Sequence, residues 1–85
     1  MFYTYVLKSA KDSNLYIGYT KDLRKRLEEH NKGLVDATQG RNPLKVVYYE
    51  ACLSEEDAVK REKYLKSGFG RKFLKERMKN YLKSI

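Results

Sequence analysis

Along the chain, apolar positions alternate, recur every three or four residues, or lose their period, and these regimes divide it into elements. Residues 2–8 (FYTYVLK) are β-formers, with Tyr3, Tyr5 and Leu7 on one side and Phe2, Thr4 and Val6 on the other. Both sides are largely apolar, so this strand is expected to be central and covered on two faces. Residues 11–14 (KDSN) have turn chemistry, and residues 15–19 form a second strand that closes a hairpin. The period then turns helical: Thr20 or Asp22 caps a helix to about Asn31, ended by Lys32-Gly33. Residues 34–43 (LVDATQGRNP) have no period and hold the only proline, and read as a surface loop. Residues 44–52 (LKVVYYEAC) are a third strand. Ser54, followed by Glu55, Glu56 and Asp57, opens a helix to about Lys66. Ser67-Gly68 and Gly70 break it, and a last basic helix covers residues 71–84. The order ββαβαα predicts an α+β fold: a small three-stranded antiparallel sheet flanked by helices, as one domain over residues 1–85.

Some polar residues fall where this pattern needs apolar ones. Leu23 and Leu27 mark the inward face of the first helix, and Arg26 and His30 lie at the same offsets. In the second helix Ala58 and Leu65 point inward, and Glu62 shares their stripe. Each has a plain explanation. Arg26 and Glu62 can form a partly buried ion pair, and His30 can be a satisfied boundary residue. Together they are harder to dismiss, because ionisable groups rarely collect on inward stripes. Six tyrosines, at positions 3, 5, 16, 19, 48 and 49, fall on the same sheet.

Charge narrows the class of partner. The formal net charge is +8, and residues 60–85 hold ten of the nineteen basic side chains but only two of the eleven acids. A basic terminal third in a tyrosine-rich chain points to a polyanion, most often nucleic acid; a solubilising lysine face is the alternative. No apolar stretch is long enough to span a membrane. The start of the chain reads as a strand rather than a signal peptide. Cys52 is alone, which excludes an intramolecular disulfide and a multi-cysteine zinc site, so a cytoplasmic setting is expected.

A cleft holding phenols, an arginine, a histidine and one carboxylate suits phosphodiester hydrolysis. Mg²⁺ takes one or two protein carboxylates and completes its shell with water and phosphate oxygens. An arginine beside it stabilises charge growing on the phosphate. A tyrosine can accept the attacking water's proton where positive charge lowers its pKa from about 10.

Taken in order, Tyr3-Thr4-Tyr5, then Tyr16-Ile17-Gly18, then Arg26 and His30, then Glu62 resemble the GIY-YIG endonuclease superfamily. More closely, the chain resembles its small single-domain bacterial members, a largely uncharacterised group. The resemblance runs from Phe2 to about Tyr81 and includes TQGRNPLKVVYYE and REKYLKSGFGRKFLKERMKNYL. It implies that Glu62 ligates one divalent metal, Mg²⁺ or Mn²⁺. It also implies that Arg26 stabilises the scissile phosphate, that His30 assists, and that Tyr5 or Tyr16, with Tyr5 favoured, is the general base or orients the water. Gly18 lets the chain pass close to a neighbour. Two positions depart from the pattern: Tyr3 replaces the first glycine, and Tyr19 stands where some nucleases of the family carry a lysine. Asn80 matches a late asparagine near the family's metal site.

The remaining candidates are contacts to nucleic acid. Arg71, Lys72, Lys75, Arg77 and Lys79 can track DNA, or form a solvated helix face. Thr38, Gly40 and Arg41 can touch backbone phosphate from a loop, or make a turn with one solvated arginine. Phe69, Phe73 and Leu74 read as core or a lid on it. The expectation is a metal-dependent endonuclease acting on DNA, with RNA as a second possibility, in repair or recombination. A partner protein would supply specificity. The alternatives are a DNA- or RNA-binding module that keeps the fold without turnover, and a protein-interaction adaptor.

Overall fold

The computed structural model describes residues 1–84; Ile85, the last residue of the expected domain, lies outside them. Three strands form an antiparallel sheet: β1 (Phe2–Ser9), β2 (Leu15–Thr20) and β3 (Leu44–Cys52), in the order β2-β1-β3. The strand with two apolar faces is therefore the central one. Tyr5 pairs with Gly18 on one side and with Tyr49 on the other, and a bulge in the β1–β3 ladder follows Val6. The helices are α1 (Leu23–Asn31), α2 (Glu55–Lys66), α3 (Gly68–Arg77) and α4 (Lys79–Lys83). No helix is long and apolar enough to cross a membrane among the described residues.

Alternation along β1 builds two different layers. Val6 packs with Ile17, Leu65, Leu74 and Met78 under α2 and α3, and Tyr5 and Leu7 pack with Leu44 under α1, where Leu23 and Leu27 close over them. Each layer is tied to the sheet by a specific bond. Thr4 Oγ1 donates to the Ala58 carbonyl at 3.0 Å, fixing α2 one turn before Glu62. Asn31, at the end of α1, donates to the Leu44 carbonyl at 2.9 Å and accepts from the Leu44 amide at 2.7 Å. Asp22, not Thr20, caps α1, its carboxylate accepting from the Lys25 amide at 3.1 Å.

Three sequence expectations change. The final helix is not continuous over residues 71–84. It begins at Gly68, ends at Arg77 and resumes as α4 after Met78, whose backbone (φ −102°, ψ 20°) leaves the helical region. Gly70 does not break a helix but sits inside α3, where a Cβ would run into the backbone of Tyr64 and Leu65. Glycine there lets α3 fold back tightly on α2, with Ser67 ending α2 and capping α3 by accepting from the Gly70 amide at 3.2 Å. Phe69 is 80% exposed rather than core, because α3 turns Gly70 and Leu74 inward, while Phe73 covers the core edge.

The stretch read as a surface loop is partly interior. It holds a single 3-10 turn (Asp36–Thr38), with Val35 and Thr38 buried. Ser9 Oγ donates to the Arg41 carbonyl at 2.6 Å, and the Ala10 amide donates to the Pro43 carbonyl at 2.9 Å, holding the segment against the end of β1.

Candidate active site

The α1 face of the sheet carries a polar cluster inside an otherwise apolar layer. Tyr5 is 1% exposed and His30 is fully buried. The Tyr5 hydroxyl lies 2.9 Å from His30 Nε2, and His30 Nδ1 lies 2.7 Å from Thr38 Oγ1. The Tyr16 ring meets the imidazole edge-on, with centroids 5.0 Å apart. Arg26 lies close enough to act on the same phenol, and its own side-chain bond goes to Glu29. Gly18 explains how the ring fits: a Cβ there would stand 2.5 Å from Tyr5 Cζ, so the neighbouring strand must offer no side chain.

Charge at the cluster follows from burial. Burial pushes the Tyr5 phenol up to about 12; Arg26 opposes this, and Tyr16 and Glu62 add to it. Tyr5 is therefore a neutral phenol at neutral pH. Burial, then the Arg26 charge, holds His30 below the usual imidazole value, against a smaller pull upward from Glu29. The buried imidazole is neutral and can accept a proton.

Arg26 and Glu62, which could have explained each other as an ion pair, are not paired together. Arg26 pairs with Glu29 at 3.0 Å, one turn along its own helix, and Glu62 pairs with Lys66 at 3.4 Å. Glu62 is still close enough for its charge to act on Tyr5 and on Tyr19, whose hydroxyl is bonded to Glu55. Lys66 is half-exposed, so it is a weak and displaceable partner for the carboxylate. Among the described residues no three His, Cys, Asp or Glu side chains gather as metal ligands. One carboxylate with a loose partner suits a hydrated Mg²⁺ or Mn²⁺ completed by water and phosphate oxygens.

The basic candidates divide into two sets. Arg41, Arg71 and Lys75, joined by Lys66, line a groove of about 790 Å³ that also contains Tyr16, over a floor including Ile17, Leu74 and Met78. Arg41 is tethered across its rim to Asp12 at 3.0 Å. Arg77, Lys79 and Asn80 instead surround a hollow with Val47, Tyr48 and Tyr81, on the β3 side. The structure does not bring Asn80 to the Tyr5 cluster. Lys72 is exposed and lines neither space. Thr38 is not a surface contact, since its hydroxyl is buried against His30.

Sequence reasoning left Glu29, Lys66 and the inward role of Thr38 out of the cluster. Glu29 was findable, lying three residues after Arg26 on a helix. Lys66 follows Glu62 by four. Thr38 carried no signal, because a threonine in an aperiodic stretch looks like turn chemistry.

A GIY-YIG catalytic domain model matches residues 1–79. A UPF0213 protein of Clostridium perfringens is 45% identical over 67 residues, covering 78% of this chain and 71% of that protein. A UPF0213 protein of Staphylococcus saprophyticus is 40% identical over 74 residues, covering 86% and 89%. The solution structure of a UPF0213 protein from Bacillus halodurans superposes with a TM-score of 0.53 at 35% identity, covering 87% of this chain and 82% of that one.

Proposed function

The chain belongs to the GIY-YIG family, a nuclease family whose members commonly use divalent metals, and from that premise we propose a metal-dependent DNA endonuclease. In this reading the chain acts as one domain, and Glu62 holds one Mg²⁺ or Mn²⁺. The observation that carries it is the convergence on one buried phenol: the Tyr5 hydroxyl is bonded to His30, reached by Arg26 and felt by Glu62. Such a set has little structural purpose in a layer that leucines could fill.

The residues divide the work of hydrolysis. A water oxygen attacks phosphorus, and the bond from phosphorus to the leaving oxygen breaks. As the water loses its proton to the Tyr5 oxygen, the Tyr5 proton passes to His30 Nε2, so no free phenolate is required. Arg26 donates to the phosphate oxygens on which charge accumulates, and Glu29 keeps its guanidinium extended toward the cleft. When bound, the cation adds positive charge beside the scissile phosphate and the departing oxygen. Tyr16 packs against the imidazole and forms the wall between the cluster and the groove. Arg41, Lys66, Arg71 and Lys75 hold backbone phosphates along that groove. Lys72, Arg77 and Lys79 add long-range attraction from outside it, and target choice comes from DNA shape or a partner protein.

The test is cleavage by purified protein of supercoiled plasmid, single strands, flaps and nicked duplexes. It is run with Mg²⁺ or Mn²⁺, with chelator, and with Glu62→Gln. Metal-dependent products that chelator and Glu62→Gln both abolish are expected. Binding to every substrate without cleavage, equal in both proteins, would leave a nucleic-acid-binding module instead.

A further inference from the structure

We propose that Thr38 is a positioning residue that fixes the tautomer of His30, keeping the proton on Nδ1 and leaving Nε2 bare to receive the proton of Tyr5. Its consequence for rate rests on the nuclease reading above, while the tautomer itself can be observed without any substrate.

The argument is an accounting of hydrogen-bond donors. Arginine has donors only, so Arg26, whose charge acts on the Tyr5 phenol, cannot take its proton. The hydroxyl proton of Tyr5 needs an acceptor, and His30 Nε2, 2.9 Å away, is the group bonded to it. A neutral imidazole that accepts at Nε2 must carry its proton at Nδ1, which lies 2.7 Å from Thr38 Oγ1. The hydroxyl proton of Thr38 then turns to the Val35 carbonyl at 3.5 Å. Donors run in one direction, from Tyr5 through His30 and Thr38 to a backbone carbonyl.

The surroundings leave no other role for this hydroxyl. Thr38 is fully buried, and its backbone is fixed by its own amide donating to Val35 at 3.1 Å and by the Arg41 amide donating to its carbonyl at 3.0 Å. The other groups facing His30 are Tyr5 and Tyr16 from the sheet and the charges of Arg26 and Glu29 from α1. None of them is bonded to Nδ1. A buried hydroxyl without a partner is destabilising, so a valine of similar shape would serve if packing were the only demand. Without the Thr38 oxygen, Nδ1–H is stranded. The proton is then better placed on Nε2, where it donates to the Tyr5 oxygen and leaves the Tyr5 hydroxyl proton without its acceptor.

His30 is the only histidine in the chain, so its ring nitrogens are unambiguous in a long-range ¹H–¹⁵N spectrum. Wild type and Thr38→Ser are expected to show the Nδ1–H pattern at neutral pH, and Thr38→Val to lose it. An Nε2–H pattern in wild type, or an unchanged pattern in Thr38→Val, would overturn the proposal. If Thr38→Val does not fold, wild type and Thr38→Ser decide the matter alone. In cleavage assays Thr38→Val should lower kcat by about 100-fold with KM unchanged, and Thr38→Ser should restore most of it. An equal fall in both variants would contradict the role. The expected tautomer in a protein that cleaves nothing would overturn the nuclease reading and leave the assignment of Thr38 standing.

Discussion

The two faces of the sheet are made by alternate residues of the same strand, yet they are built for different ends. Under α2 and α3, Val6, Ile17, Leu65, Leu74 and Met78 form an aliphatic layer. Under α1, Tyr5 and Leu7 share their layer with Tyr16, a neutral imidazole occupies space that a leucine could fill, and the partly exposed Arg26 stands at its edge. The first face carries most of the hydrophobic stabilisation that a short chain can muster. The second gives up apolar packing to hold a chain of polar groups, each satisfied by the next. A small domain can keep both because the central strand separates the two layers, and of the proposed catalytic residues only Glu62 comes from a helix of the aliphatic side.

That division makes separable predictions. The largest effect on stability belongs to the aliphatic face. Leu65→Ala, at a fully buried position, should cost about 2–5 kcal/mol, read as a fall in the urea midpoint. A loss well below 1 kcal/mol would mean that this face is not the principal core. Gly18→Ala comes next. Its methyl must displace the Tyr5 ring, so a cost of about 1–3 kcal/mol is expected together with loss of cleavage. Unchanged stability and cleavage would show that the close approach at Gly18 is dispensable.

The smallest effect is in acid and isolates the polar face. His30 has a folded pKa below its unfolded value near 6.5, so the unfolded chain binds the extra proton first. The stability His30 contributes is fully present above that value and is lost as pH falls through the folded pKa. His30→Gln should therefore flatten the acid limb of the stability curve below the unfolded value near 6.5. An identical acid limb in both proteins would place the titrating group elsewhere.

How much of this was legible in the sequence varied with period. The strands, the capped starts of α1 and α2 and the two-faced β1 followed directly from alternation and helical spacing. Arg26, His30 and Glu62 stood out because they are ionisable groups on inward stripes, and Tyr5 was singled out among six sheet tyrosines only by the family resemblance. Thr38 did not, because its burial depends on where a distant histidine points a nitrogen. The partners of Arg26 and Glu62, by contrast, could be found from helical spacing. Both have an opposite charge within one helical turn, and local pairs form more readily than one between helices on opposite faces of the sheet. The interruption at Met78 had no glycine or proline to announce it. The split among the basic residues of α3 and α4 needed the helix orientations, since charge alone treats Lys75 and Lys79 alike.

The claim at the centre of this account is that the α1 face holds chemistry rather than stability, and Arg26→Ala tests it most directly. Its cleavage rate in Mg²⁺ and its urea midpoint should be measured on the same preparation beside wild type. The expected result is a rate lower by about 10²–10³-fold with a midpoint changed by less than about 1 kcal/mol in equivalent stability, since the Arg26–Glu29 pair is partly exposed. Unchanged cleavage, or a rate that falls only as far as the protein unfolds, would contradict it.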